Sequence, residues 1–299
     1  MRALLTVEDL EDELSLPTEG VLETLRRVDG DVMVLGAGGK MGPTLARMVR
    51  RGMDLLGQTN RRVIAVSRFS SVRDAEELTR HGVEVLRCDL LDRAAVAALP
   101  DAPNVFFMAG QKFGTSNAPE LTWVMNTLVP AVVAERYAGS RMVVFSTGCV
   151  YPLASVAGGG SREGDALGPP GDYANSCVGR ERVCAHFSKV NGTPMLLYRL
   201  SYAIDLRYGV LMDVAQKVWR GEPVDVTMGY ANVIWQGDAN ARAIQCLERV
   251  ASPAVALNVT GLERVSIREL ALAFGQRLGR TVEITGQEAE AAWLFDASL

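Results

Sequence analysis

The sequence predicts an α/β fold in which a doubly wound parallel sheet is followed by a smaller C-terminal lobe. Three observations predict it. Short apolar-rich runs recur five times between residues 31 and 147, and the first of them is continuous, as expected of a strand covered on both faces. Helical stretches separate these runs, and strictly alternating strands and helices build parallel sheets. The first run, Val32 to Leu35, passes straight into a turn carrying Gly36, Gly39 and Gly42.

Residues 1–30 precede that strand. They read as two short helices split by Pro17, the second opened by Thr18 as its cap. Nothing in them carries chemistry, so they read as a packing extension. In the turn, Gly36 permits a tight bend, Gly39 lets a pyrophosphate approach the backbone, and Gly42 lets helix and strand pack closely. A helix from Lys40 to about Arg51 would aim its N-terminal N–H groups at that phosphate. Gly38, Lys40 and Met41 complete the candidate dinucleotide turn of a Rossmann-type sheet.

The second strand, Arg62 to Arg68, ends in Ser67 and Arg68 where an acidic residue would accept the adenosine ribose 2′-hydroxyl. A hydroxyl beside a guanidinium suits a 2′-phosphate instead, so NADP is preferred to NAD. A helix over Arg73–Arg80 leads to a third strand, Gly82 to Leu90. Its Asp89 either accepts the adenine amino group or caps a helix over Arg93–Leu99, with Leu90 beside it. A fourth strand, Asn104 to Gly110, closes in small residues. A helix from Glu120 to Arg136 and a fifth strand, Arg141 to Thr147, follow. The glycine-rich stretch around Gly158–Gly160 and the Pro169-Pro170-Gly171 turn bracket a loop, and Asp172 to about Lys189 reads as a helix.

Composition narrows the partners. The 299 residues carry a formal net charge of −4, which argues against nucleic acid or an anionic membrane surface. Five scattered cysteines without CxxC pairs suit reduced thiols, and two distant histidines argue against a metal site. No apolar run reaches the ~18 residues of a membrane span, and the acidic N-terminus is unlike a signal peptide, so a cytoplasmic protein is expected. The expected divisions are 1–30 for the extension, 31–190 for the dinucleotide-binding domain, and 191–299 mainly for a substrate lobe with segments returning to the core.

Several segments, in order, resemble the extended short-chain dehydrogenase/reductase superfamily in its NAD-dependent epimerase/dehydratase branch. Gly36 to Gly42 resembles the GxxGxxG turn, and Ala109-Gly110-Gln111-Lys112 the segment after the fourth strand. Phe145 to Tyr151 resembles S-[ST]-x-x-V-Y, and Tyr173 stands where the tyrosine of YxxxK belongs. Arg199 to Tyr202, Val233 to Ala239, and Leu257 to Gly261 with Val265 to Leu270 resemble later elements, so the likeness covers about residues 31–285. The family's chains usually run somewhat longer, which leaves room for a further tail.

The resemblance implies hydride transfer on a sugar, sugar acid or nucleotide sugar. Tyr173 would be the acid/base and Thr147 the hydroxyl sharing the substrate's hydrogen bond. Ala109, Gly110, Lys112, Asn126, Ser146 and Tyr173 would join the glycine turn, Ser67, Arg68, Asp89 and Leu90 around the cofactor. Tyr202 and Arg207 are candidates for the substrate, and Arg207 equally reads as a salt-bridge residue. Trp219 and Trp235 read as core or interface residues. The resemblance also implies a homodimer through the helices carrying Asn126 and Tyr173.

Two departures stand out. Cys177 occupies the place of the lysine that would hold the nicotinamide ribose and lower the tyrosine pKa from its free value of about 10. Cys177 itself reads as a small buried hydrophobe. Three readings follow. Another cation, Arg180 or Lys112, replaces the lysine; Tyr173 only donates a hydrogen bond; or the protein binds dinucleotide without turnover. Gly148 and Cys149 stand where 4,6-dehydratases carry an acid pair, which disfavours dehydration.

Overall fold

The computed structural model describes residues 4–112 and 117–299. The N-terminal extension folds as two helices, α1 (Val7–Leu14) and α2 (Glu19–Arg27), as the sequence leads one to expect. Thr6 and Asp9 form a reciprocal capping box on α1, and Thr18 Oγ1 accepts from Val21 N at the start of α2. Leu10, Leu14, Val21 and Leu25 are buried. The extension is pinned to α3 (Gly42–Leu55) by Arg47, whose guanidinium is 1% exposed and reaches Glu11 at 3.1 Å and Asp12 at 2.5 Å.

The strands β1 (Val32–Leu35), β2 (Val63–Ser67), β3 (Glu84–Arg87), β4 (Asn104–Phe107) and β5 (Arg141–Thr147) form the predicted parallel ladder. Adding the strands Met195–Leu200 and Val255–Val259, the sheet has seven strands in the order Val255–Val259, Met195–Leu200, β5, β4, β1, β2, β3. The order turns back at β1, the reversal that opens a crevice at the carboxyl ends of the strands. Leu35 stands in register beside Val66 and Phe107, and Met33, Ile64, Val105 and Val144 fill the same interior.

Several boundaries differ from the expected ones. The helix after the glycine turn begins at Gly42, not Lys40, because Gly39 N bonds back to Gly36 O and Met41 serves as the cap. It continues past Arg51 to Leu55. The third strand, which follows α4 (Val72–Arg80), is shorter than Gly82–Leu90, since the chain turns at Asp89. Asp89 does not cap α5 (Arg93–Ala97). Asp92 does, with Oδ1 accepting from Ala94 N and Ala95 N. Asp92 is adjacent to the helix and so reaches the free N–H groups that Asp89 does not. The helix expected over Glu120–Arg136 is three pieces: α6 (Pro119–Trp123), a π-helical turn over Val124–Leu128, and α7 (Val129–Arg136). The long α8 (Asp172–Asn191) follows the Pro-Pro-Gly turn.

The chain forms two compact units. The first comprises Met1–Ser146, Gly171–Tyr198 and Asn240–Ala256; the second Thr147–Pro170, Arg199–Ala239 and Leu257–Leu299. The second unit has its own apolar cluster of Val214, Val218, Val224, Val226, Ile267 and Ala271. It also has a buried polar hub. Tyr151 is fully buried, donates to Asn258 Oδ1 at 2.8 Å and accepts from Arg199 Nη1 at 2.5 Å. Burial raises the Tyr151 pKa, opposed by the Arg199 charge. The motif tyrosine thus serves as a structural post in the second unit.

Candidate functional site

The glycine turn is built as its spacing requires. Gly36 has φ +90°, and a Cβ there would lie 2.5 Å from Ala109 N. Only glycine permits both that conformation and that approach of β1 to the end of β4. A Cβ on Gly42 would lie 2.5 Å from Ala37 O, so the start of α3 rests directly on the backbone. A Cβ on Gly39 would meet only Gly36 O, at 3.5 Å, which leaves that face open to a ligand.

Above this turn lies a cavity of about 590 Å³ in the first unit. Of the residues singled out from sequence, Gly36, Gly38, Gly39, Ser67, Arg68, Asp89, Leu90, Ala109 and Gly110 all line it. They come from the ends of β1, β2, β3 and β4, so the crevice gathers residues that are far apart in the chain. Ser67 Oγ lies 2.7 Å from where a Gly38 Cβ would be, placing the hydroxyl against the glycine turn. Phe69 follows in the left-handed region at φ +43°, a strained conformation for an aromatic residue. Arg87 Nη1 donates to its carbonyl at 2.7 Å and holds the bend.

Lys40, Met41, Gly42, Lys112, Asn126 and Ser146 stand outside this lining. Lys40 and Lys112 are exposed. Asn126 is fully buried in the π-helical turn, and its amide is committed to the protein. Its Oδ1 accepts from Gln111 N at 2.9 Å and Arg180 Nη2 at 2.5 Å, and its Nδ2 donates to Gln111 O and Ser176 Oγ. A buried amide must satisfy all these groups, and here it does so by clamping the loop after β4. Ser146, expected beside the nicotinamide, instead donates to Glu181 Oε1 at 2.6 Å in the interior.

Tyr173 sits in the first turn of α8 and is half-buried; its carbonyl accepts from Ser176 Oγ at 2.7 Å. Cys177, four residues on, is 1% exposed, with its sulfur 4.0 Å from Asn126 Nδ2. It fills the place of the lysine as a small buried side chain. Arg180, seven residues from Tyr173, is 6% exposed and donates to Phe145 O at 2.6 Å.

The other candidates belong to the second unit. Thr147 Oγ1 accepts from Cys149 N and caps the short 3-10 turn Gly148–Val150. Tyr202 has φ +45°, and burial pushes its hydroxyl up to about 12. Arg207 binds the chain's own carboxylate: its Nε and Nη2 reach Asp205 Oδ2 at 2.9 and 2.7 Å. Asp205 is buried and two residues away, so the salt-bridge reading describes what is observed. Trp219 is 57% exposed, contrary to the core expectation, with the Arg280 guanidinium 4.8 Å from its ring centre.

Sequence reasoning missed Phe69, Ser70, Asp74, Cys88, Met108 and Met125 in the cavity wall. Ser70 and Asp74 had a signal, since they follow Ser67 and Arg68 into the next helix. Met125 had none, because its position depends on the π turn. Among the described residues, no group of three or more His, Cys, Asp or Glu is placed to hold a metal, and no helix is long and apolar enough to cross a membrane.

The family model described as "NAD dependent epimerase/dehydratase family" matches residues 32–205. No curated protein matches the chain. Among solved structures, UDP-glucuronic acid 4-epimerase from Bacillus cereus, in complex with UDP-glucuronic acid and NAD, superposes with a TM-score of 0.73 at 17% identity, covering 90% of each chain. UDP-glucose 4-epimerase from Thermotoga maritima, with UDP-glucose, gives 0.71 at 17% identity, again over 90% of each chain. UDP-glucose 4-epimerase from Thermus thermophilus, complexed with NAD, gives 0.69 at 19% identity, covering 89% of this chain and 90% of that one. At these identities the likeness establishes a common fold.

Proposed function

The chain belongs to the NAD dependent epimerase/dehydratase family, and from that premise we propose that it is an NAD(P)-dependent epimerase or oxidoreductase acting on a nucleotide sugar, sugar or sugar acid. The observation that carries this reading is the cavity over the glycine turn, which gathers nine of the residues that the sequence alone suggested for a dinucleotide.

The residues fit that group. The open face of Gly39 and the N-terminal end of α3 just beyond it suit a diphosphate. Ser67, Arg68, Ser70, Asp74 and Asp89 surround the end that would hold adenosine, while Met108, Ala109, Gly110 and Met125 form the opposite end. Arg68 and the two hydroxyls favour a 2′-phosphate, which makes NADP the preferred cofactor; Asp74 in the same wall opposes it. When bound, the dinucleotide supplies the hydride acceptor or donor. Tyr173 gives or takes the substrate hydroxyl proton. Gly148 and Cys149 supply no acid for the extra proton transfers of dehydration, so the chemistry stops at oxidation, reduction or inversion.

The test is turnover. Purified protein with NADP or NAD and a panel of nucleotide sugars, uronates and aldoses should change absorbance at 340 nm or yield an epimer, and Tyr173→Phe should abolish it. A second reading is favoured by one observation, the buried Cys177 in place of a lysine. On that reading the protein binds dinucleotide as a regulator, and cofactor binding without turnover across the panel selects it. A homodimer and a cytoplasmic location complete the proposal; sedimentation and fractionation test them.

A further inference from the structure

The cavity wall at Gly110 is backed by a positive charge. A Cβ on Gly110 would collide with Arg180 Nη2, so the guanidinium lies directly behind the glycine. Arg180 is 6% exposed, and it donates to two neutral acceptors, Phe145 O and Asn126 Oδ1. Its Nε is buried without a hydrogen-bond partner, and the Phe107 ring centre is 5.9 Å from its Cζ. No carboxylate pairs with it within 4.0 Å among the described residues; the neighbouring Glu181 is buried and receives Ser146. A buried cation held by dipoles alone is costly, and its field extends far in a poorly screening interior.

That field falls on the end of the cavity formed by Met108, Ala109 and Gly110, the end opposite Ser67 and Arg68. Given the dinucleotide reading above, on which this inference rests, that end takes the nicotinamide. The oxidised ring carries a positive charge and the reduced ring carries none, while the rest of the molecule is the same. We propose that Arg180 selects the redox state of the bound dinucleotide: its fixed charge repels the oxidised ring and makes the reduced form the tighter ligand. Arg180 is thereby a binding-specificity residue with no need to touch the ligand.

The experiment is calorimetry of the purified full chain with the oxidised and reduced forms of NADP and NAD. The unmodified protein should bind the reduced form more tightly. Arg180→Gln should cut that preference by about ten- to twentyfold, the size expected of one charge acting at roughly 10 Å across protein. Arg180→Lys should keep it. Asn126→Asp leaves the guanidinium in place and sets a carboxylate against it, and should cut the preference as Arg180→Gln does, which carries the test if Arg180→Gln does not fold. A purely structural role would weaken both forms in parallel. Parallel weakening, an unchanged preference in the neutralised variants, or equal affinities in the unmodified protein overturns the proposal. Failure of both forms to bind the unmodified protein removes the dinucleotide reading and this inference with it.

Discussion

Ser146 Oγ donates to Glu181 Oε1 over 2.6 Å, joining the end of β5 to the middle of α8 where both side chains are buried. Hydrogen bonds to buried charges contribute about 1.5–3 kcal/mol, and an unsatisfied partner costs a similar amount. Ser146→Ala and Glu181→Gln should each lower stability by about 1–3 kcal/mol. Their double mutant should lose less than the sum in urea unfolding, because the charge-assisted hydrogen bond between them is lost only once. Additive losses would show that the two side chains do not depend on each other.

Gly42→Ala places a methyl 2.5 Å from Ala37 O and 2.6 Å from Ala37 Cα, both backbone atoms of the glycine turn. Backbone yields poorly, so the variant should lose about 2 kcal/mol or more and bind dinucleotide weakly. Gly139→Ala is the matched control, since nothing lies within 4 Å of a Cβ there. It should be neutral or stabilising by up to about 1 kcal/mol in thermal unfolding.

Arg68→Ala removes the guanidinium from the adenosine end of the cavity. The proposed cofactor preference requires the affinity for NADP to fall about tenfold while that for NAD changes little. Direct titration of both cofactors measures it, and equal losses would assign Arg68 to a feature the two share.

Arg47 is 1% exposed and reaches Glu11 and Asp12 of the N-terminal extension. Arg47→Ala should cost about 2–4 kcal/mol, chiefly through the hole left beneath α1, since Asp12 keeps Arg51 at 3.8 Å. Limited proteolysis should then cut first within residues 4–30; unchanged protection would show that apolar contacts alone hold the extension.

Acid should weaken the second unit through Glu288. Hydrogen bonds from Arg268 Nε and Nη2, at 2.5 and 3.0 Å, hold its carboxyl at about 2, below the ordinary 4.5. A depressed carboxyl stabilises the fold fully above its unfolded value and loses that contribution as pH falls toward the folded value. The stability gap between the unmodified protein and Glu288→Gln should therefore be largest near neutrality and narrow between about pH 4.5 and about pH 2. A gap independent of pH would remove Glu288 as the source.

What the sequence made legible is local. Apolar runs such as Val32–Leu35 and Val143–Val144 mark buried strands by composition, and Thr18 announces α2 because cap and helix are neighbours. The cavity was readable for the same reason: its walls are strand ends, and strand ends follow from strands. The unreadable parts rest on partners distant in the chain. Asn126 meets Ser176 from 50 residues away, and Arg180 meets Phe145 from 35. Of the two readings the sequence leaves open for Arg207, the salt bridge is the one observed, with Asp205 two residues away, and of the two for Asp89 the helix cap falls to Asp92 while Asp89 lines the cavity.

The π-helical turn over Val124–Leu128 holds one residue more than an α-helical path would need. Removing one residue there would close the bulge into a plain α-helical path, with α7 keeping its face and the residues of the turn changing theirs. Asn126 would lose Gln111, Ser176 and Arg180 together, and Met125 would leave the cavity wall. Length at this spot thus shapes the wall of the crevice: the one added residue sits where a single amide, Asn126, ties three neighbours together.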